Sequence, residues 1–134
     1  AFMHIPDKAH LFKTLYGLMA DGGKLVITDY ARGKTPASPE FEDYIKKTGY
    51  SVIEPEQYGE VLRQAGFKDV IVDDATATFV DILGREKKRL VEDRADFLSS
   101  FSEEDLNYLV DRWAMKERFC ADGDMKWGIY VATR

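Results

Sequence analysis

The chain has 134 residues, of which 45% are hydrophobic and 13% aromatic, so it is long and apolar enough to form one domain with its own core. Its net charge is −5 and its basic residues are spread along the sequence. This balance argues against nucleic acid as a partner, because the overall field repels a phosphate backbone. The single cysteine, Cys120, excludes an intramolecular disulfide and, with no secretory-type leader in the sequence, favours a reducing cytosolic setting. No apolar run approaches the ~20 residues of a membrane span.

A helix and a strand are predicted at the start of the chain. Leucines recur on one helical face over residues 7–20, which predicts an amphipathic helix. The strand predicted next, residues 24–30, contains the continuous apolar run Leu25-Val26-Ile27. Such a run is typical of a strand that is buried on both faces in a parallel sheet.

A second helix and strand unit is predicted in the middle of the chain. Ser38 and Pro39 have the residue types of an N-cap and a first-turn proline, so a short helix is expected to begin there. Residues 55–65 predict a further helix, and residues 69–73 predict the strand that follows it. The pattern is that of an α/β fold.

The last part of the chain predicts two long helices and a final strand. Apolar residues four or seven positions apart predict one continuous helix over residues 78–99. A capping-box sequence at residues 102–105 opens the second helix, and a turn at 122–124 precedes a strand over residues 127–133. Three strands are few for this amount of helix. Either the sheet is completed elsewhere or the beginning of the domain is missing.

Eight short stretches, spread from residue 3 to residue 134, carry a resemblance to a known family. They are MHIPDK, GGKLVITDY, SPEFEDYI, GYSV, QYGEVL, AGFKDV, FSEEDLN and KWGIYVATR. In this order they resemble the C-terminal half of the phosphoethanolamine N-methyltransferases, which are class I S-adenosylmethionine-dependent enzymes. The resemblance implies the last three strands of a seven-stranded Rossmann-like sheet, with a lid of extra helices over the phosphobase.

The resemblance also implies that residues 1–134 are the C-terminal part of a single methyltransferase domain. It divides them between the sheet core and a lid over the substrate. Segments 1–30, 54–76 and 127–134 would belong to the sheet core, and segments 31–53 and 77–126 to the substrate lid.

The residues that hold S-adenosylmethionine are expected mostly outside this chain. The family's glycine-rich cofactor loop lies in the N-terminal half. The only adjacent glycine pair here, Gly22-Gly23, precedes a strand, whereas a nucleotide loop precedes a helix. We therefore expect that this chain alone binds the cofactor poorly. Its expected partners are a small phosphobase and the missing N-terminal half or, if the chain is complete as given, a second copy paired along an open strand edge.

His4 is the candidate catalytic base. A substrate ammonium that titrates near the lysine value, ~10.4, must lose a proton before its lone pair can attack a methyl group, and histidine titrates closest to neutral. On the residues alone, a lone histidine is more often structural. The resemblance reverses that preference, because His4 matches the position of the family's catalytic histidine.

Five further residues are candidates for substrate binding. The resemblance matches Tyr30, Tyr44, Tyr50 and Lys116 to the family's phosphate contacts. Taken singly, each tyrosine fits the core as well, since such rings bury readily once the hydroxyl has a partner. Asp29, beside Tyr30 at the strand end, would either face the amine or bond to backbone N–H groups of the loop.

Position 48 departs from the family pattern. The family has an arginine between the second and third tyrosines, and here that residue is Thr48. A guanidinium binds phosphate with two parallel hydrogen bonds, whereas threonine offers one neutral donor. Either Arg32 or Lys47 compensates, or the affinity for phosphate is weak.

The sequence is therefore compatible with three functions. The first is methyl transfer from S-adenosylmethionine to the amine of phosphoethanolamine or its mono- and dimethyl forms, toward phosphocholine. The second is a truncated, non-catalytic module that binds a phosphobase or a protein partner. The third is N-methylation of a small amine that carries no phosphate.

Overall fold

A three-stranded sheet and six helices make up the described part of the chain, residues 2–134, in a computed structural model. Their order is the predicted one, except that the long helix predicted over residues 78–99 is divided in two. After a short 3-10 turn at Phe2–His4, the elements are α1 (Lys8–Leu18), β1 (Lys24–Arg32), α2 (Pro39–Thr48), α3 (Pro55–Gln64), β2 (Lys68–Asp74), α4 (Thr76–Glu92), α5 (Arg94–Leu98), α6 (Glu103–Ala121) and β3 (Met125–Thr133).

The last strand, β3, lies in the middle of the sheet. It pairs antiparallel with β1 on one side, where Ile27 is opposite Tyr130, and antiparallel with β2 on the other. The strands β1 and β2 therefore run in the same direction but are joined only through β3.

The expectation that β1 is buried on both faces is wrong for the described residues. Ile27 is 3% exposed, whereas its neighbour Val26 is 64% exposed, so burial alternates along the strand as in a sheet with one covered face. The covered face packs on α1 and α3. On the other face, the ring of Tyr30 at the far end of β1 packs against Phe79 of α4, and Val26 remains uncovered.

The sheet core is built around two stacked tyrosines. The rings of Tyr58 from α3 and Tyr130 from β3 lie parallel with centroids 4.0 Å apart, and both side chains are fully buried. A Cβ atom at Gly128 would lie 2.1 Å from the Tyr130 hydroxyl oxygen, so only glycine leaves room for this ring. The core cluster consists of Phe12, Ile27, Tyr58, Leu62, Phe67, Tyr130 and Ala132.

A second apolar cluster joins α2 to α6 and β3. Phe41 of α2 packs edge-on against Phe119 of α6 with ring centroids 5.2 Å apart. The buried members of the cluster are Phe41, Tyr44, Val52, Phe119 and Met125. This cluster positions the two helices that bear the candidate site residues Tyr44 and Lys116.

The helix predicted over residues 78–99 breaks at Asp93. This residue, at φ −94° and ψ 25°, ends α4 and precedes the short α5. The break was not visible in the apolar spacing, because Leu90 before it and Phe97 after it line one groove together with Trp113. Within the described residues, none of the helices combines the length and the apolar character needed to cross a bilayer.

Candidate active site

His4 and three tyrosines form one connected aromatic group, called the aromatic row below, in which Tyr50 contacts each of the other three rings. The rings of Tyr30 and Tyr50 are stacked with centroids 5.9 Å apart, and Tyr44 meets Tyr50 edge-on at 5.9 Å. His4 meets Tyr50 edge-on at 5.0 Å. Residues that are far apart in the sequence are therefore brought together in the structure.

Local structure explains how the three tyrosines converge. Tyr30 lies near the end of β1, and Tyr44 is carried by α2, whose N-terminus is capped by the Ser38 side chain. The helix ends at Gly49, which has a φ of 73° in the left-handed region that glycine adopts without strain. This turn brings Tyr50 back against the helix that precedes it.

Lys116 lies at the end of the aromatic row away from His4. Its Nζ donates a hydrogen bond to the Tyr30 hydroxyl at 3.1 Å and lies 5.3 Å from the centroid of the same ring. Burial lowers the pKa of Lys116, and the nearby charge of Arg112 lowers it further. The ammonium group is thus a partly desolvated cation with a hydroxyl for a partner, an arrangement that an anionic ligand would stabilise.

Tyr44 is both a core residue and a candidate ligand contact. Its side chain is 8% exposed and packs on Phe41 and Phe119, while its hydroxyl has no hydrogen-bond partner among the described residues. Burial raises the pKa of Tyr44 to about 12. The fully buried Tyr130 hydroxyl also has no such partner, so this property does not by itself mark a site.

Asp29 is held inside the protein. It is 3% exposed, and its two carboxylate oxygens accept hydrogen bonds from the Tyr58 hydroxyl at 3.1 Å and from the backbone N–H of Tyr30 at 2.9 Å. Burial raises the pKa of Asp29, although the Tyr58 hydrogen bond and the Lys8 charge oppose the shift. Of its two expected roles, the observed bonds match backbone bonding at the strand end. Contact with an amine stays a prediction.

Lys8 was not predicted from the sequence as a site residue, but its side chain links the turn that carries His4 to the loop after Tyr50. It is 4% exposed, and its Nζ donates to the carbonyl oxygens of Phe2, Ile5 and Ser51 at 3.1, 2.8 and 2.7 Å. His4 itself is exposed and lies between the first two of these carbonyls in the sequence. Because Ser51 follows Tyr50, one ammonium group holds both the His4 turn and the Tyr50 loop in place. In the sequence, the role of Lys8 was indicated only by its place in the MHIPDK stretch, which also contains His4.

Both residues expected to compensate for Thr48 already have carboxylate partners in the structure. Arg32 forms a two-point ion pair with Glu42, with N–O distances of 2.6 and 3.3 Å, and Lys47 pairs with Asp43 at 2.8 Å. The Thr48 hydroxyl donates back to carbonyl oxygens of its own helix, the nearest at 2.9 Å.

Arg112 is a second residue that the sequence reasoning missed. It precedes Lys116 by one helical turn on α6, and its Nη1 donates to the Tyr108 hydroxyl at 2.8 Å. Its positive charge acts to lower the pKa of Tyr30 and Tyr44, although burial is the larger influence and raises both. The spacing of four residues from Lys116 was the sequence clue to this position.

Comparison with known proteins shows which proteins this chain is similar to in sequence. No family model matches the chain. Phosphoethanolamine N-methyltransferase 1 of Arabidopsis thaliana is 40% identical over 132 residues, which cover 98% of this chain and 27% of that protein. The phosphoethanolamine N-methyltransferase of Plasmodium falciparum is 33% identical over 137 aligned positions, covering 100% of this chain and 52% of that protein.

The chain is also similar in three-dimensional structure to solved methyltransferases and related enzymes. Phosphoethanolamine N-methyltransferase 2 of Haemonchus contortus, in complex with phosphomonomethylethanolamine and S-adenosylhomocysteine, superposes with a TM-score of 0.96 at 32% identity, covering 100% of this chain and 32% of that one. The cyclopropane synthase MmaA2 of Mycobacterium tuberculosis, at 15% identity, shares the fold with a TM-score of 0.84. The predicted α/β class and the likeness to class I methyltransferases are confirmed.

The chain spans about half the length of the Plasmodium relative and about a quarter of the Arabidopsis one. The regions matched are the C-terminal parts of those proteins. In sequence and in fold, the chain is therefore the counterpart of the C-terminal part of a phosphoethanolamine N-methyltransferase.

Proposed function

We propose that this chain supplies the phosphobase-binding part of an N-methyltransferase that transfers a methyl group from S-adenosylmethionine to phosphoethanolamine or its mono- and dimethyl forms, toward phosphocholine. The observation that carries the proposal is the aromatic row, with His4 at one end and Lys116 at the other. The names of the relatives in Arabidopsis and Plasmodium and the phosphomonomethylethanolamine in the Haemonchus complex support the substrate class.

The row suits a small zwitterion. Phosphoethanolamine carries its amine and its phosphate two carbons and one oxygen apart. Lys116 and the hydroxyls of Tyr30, Tyr44 and Tyr50 would hold the phosphate, while ring faces would attract the increasingly methylated ammonium through cation–π contact. His4, edge-on to Tyr50 and exposed, would accept the proton that the amine must lose before it attacks.

The glycine pair at residues 22–23 does not fit a binding loop for the methyl donor. The backbone of the Gly22-Gly23 pair is already used, since Gly22 N–H donates to the Arg134 carbonyl at 3.2 Å and Arg134 N–H donates to the Gly23 carbonyl at 2.9 Å. We therefore assign no residue of this chain to the cofactor. The role proposed for the chain is to bind, orient and deprotonate the acceptor.

The cofactor would be held by the N-terminal half that the longer relatives possess. The outer edge of β1, which pairs only with β3 among the described residues, and the exposed Val26 are the surfaces we propose for contact with that half. Segments 31–53 and 77–126 would then act as the lid over the substrate. Pairing of two copies along the same edge is the competing arrangement, and sedimentation of the chain with and without the N-terminal half distinguishes the two.

A chimeric enzyme tests the proposal. In it, this chain replaces the matching C-terminal segment of the Plasmodium relative, the parent enzyme serves as the positive control, and His4→Ala serves as the matched inactive variant. We expect methyl transfer to phosphoethanolamine by the chimera and a loss of roughly 100-fold or more in kcat with His4→Ala. A chimera that folds and binds S-adenosylmethionine but methylates no phosphobase would contradict the proposal.

A second candidate function is favoured by Thr48, whose hydroxyl is bonded to its own helix and not directed to a ligand. In this alternative, the acceptor is a small amine without phosphate. The same chimera decides between the two, because turnover of ethanolamine in preference to phosphoethanolamine supports the alternative. Phosphobase binding without any turnover would instead support a non-catalytic module.

A further inference from the structure

We infer that Arg112 is a second phosphate-binding cation, which acts beside Lys116 and supplies the guanidinium that position 48 lacks. The inference rests on the proposed phosphobase site and deepens it, because it makes Arg112 a residue that determines preference for phosphorylated over unphosphorylated amines.

The first observation is the absence of a carboxylate partner. Among the arginines of the described chain, Arg112 has no ion pair, and its only hydrogen bond goes to the neutral Tyr108 hydroxyl. Each of the other seven arginines lies within 3.7 Å of a carboxylate oxygen. In a chain with a net charge of −5, an arginine left without such a partner is conspicuous.

The second observation is where this guanidinium lies. Arg112 and Lys116 are one turn apart on α6, so they share a face of the helix. Lys116 is bonded to Tyr30, and Phe119 of the same helix packs against Tyr44 at 5.3 Å. The helix face that carries Arg112 is therefore the face turned toward the aromatic row. Arg112 is half-buried, so its cation is partly desolvated beside a second cation.

The third observation is electrostatic balance. A phosphate monoester carries about −1.5 to −2 charges at pH 7, and Arg112 with Lys116 supplies two positive charges to one place. Without an anion, these two cations oppose each other, and the charge of Arg112 contributes to the lowered pKa of Lys116 after the larger effect of burial. A guanidinium with one N–H engaged retains donors for two parallel bonds to phosphate oxygens.

Binding measurements on this chain test the inference. Phosphoethanolamine, inorganic phosphate and ethanolamine are titrated by calorimetry into the wild-type chain, Arg112→Ala, Arg112→Lys and the matched control Arg85→Ala, an exposed arginine on α4. Arg112→Ala is expected to weaken phosphoethanolamine binding roughly 10- to 100-fold, and Arg112→Lys to weaken it less. Arg85→Ala is expected to leave it unchanged. Thermal unfolding of each variant monitors the fold.

A restoring substitution keeps the test independent of a general loss of stability. Position 48 is one helical turn after Tyr44, so Thr48→Arg in the Arg112→Ala background is expected to recover at least part of the lost phosphoethanolamine affinity. Equal phosphoethanolamine affinity for wild type and Arg112→Ala would overturn the inference, and so would undetectable binding of phosphoethanolamine and phosphate to the wild-type chain. Failure of the proposed function is seen separately, as absent methyl transfer by the chimera.

Discussion

Two pairs of stacked tyrosines in this chain lie in opposite surroundings, one sealed in the sheet core and one open toward the surface. Tyr58 and Tyr130 are stacked at 4.0 Å, fully buried, and locked in the sheet core, where the Tyr58 hydroxyl donates to Asp29. Tyr30 and Tyr50 are stacked at 5.9 Å, half-buried, and lie between His4 and Lys116. The buried pair supports the fold, and the half-buried pair is the one that we propose contacts a ligand. The distinction lies in which groups surround each ring.

The largest effect is expected in the sealed pair. Tyr130→Ala removes a fully buried ring stacked on Tyr58, and we expect a loss of about 3–5 kcal/mol in the free energy of unfolding. Urea denaturation followed by circular dichroism measures it. A loss below about 1 kcal/mol would mean that the pair is not the centre of the core.

Tyr44, which belongs to both kinds of environment, gives a pH-dependent effect. Burial raises its pKa from the usual 10 to about 12 in the folded state. The stability that its neutral hydroxyl provides is fully present below pH 10 and is lost as the pH rises through about 12. Tyr44→Phe should remove roughly 2 kcal/mol of that alkaline loss. Parallel denaturation curves of wild type and variant across this range test the prediction, and identical pH dependence would contradict it.

The open pair should show a smaller cost in stability and a larger one in binding. Tyr50→Ala removes a half-buried ring that contacts His4, Tyr30 and Tyr44. We expect about 1–2 kcal/mol less stability and at least a roughly tenfold weaker phosphoethanolamine affinity, measured by denaturation and calorimetry. Normal affinity in Tyr50→Ala would place the substrate elsewhere.

The smallest effect is expected at Thr48. Its hydroxyl bonds only to carbonyls of its own helix among the described residues, at 2.9 and 3.2 Å. Thr48→Val should therefore change phosphoethanolamine affinity less than about twofold and stability by less than about 0.5 kcal/mol. A tenfold loss of affinity by calorimetry would show that the hydroxyl leaves the helix to bind phosphate.

Local chemistry made most of the elements predictable from the sequence. The cap at Ser38 and the capping box that opens α6 each produced the expected start of a helix. The break at Asp93 was not predictable, because the apolar residues on either side of it face the same groove. The exposure of Val26 depends on which helices cover the sheet. The continuous apolar run in β1 does not show which face of the strand is covered, so this exposure could not be predicted.

The candidate site residues were predicted through the family resemblance, because by residue type alone His4 and the tyrosines fit a structural role as well. His4 and the three tyrosines do come together in space. Lys8 and Arg112 were missed because isolated lysines and arginines usually lie at solvated surfaces. Only the three-dimensional structure shows that Lys8 binds three carbonyl oxygens and that Arg112 forms no ion pair within residues 2–134.

The central position of β3 has a consequence for the order in which the protein can form during synthesis. Because β1 and β2 meet only through β3, neither has a strand to pair with, among the described residues, until residues 125–133 have left the ribosome. Until then, the apolar faces of α1 and α3 lack the closing ring of Tyr130. Nascent chains stalled before this strand should be readily cut by protease, and chains stalled well after it should resist.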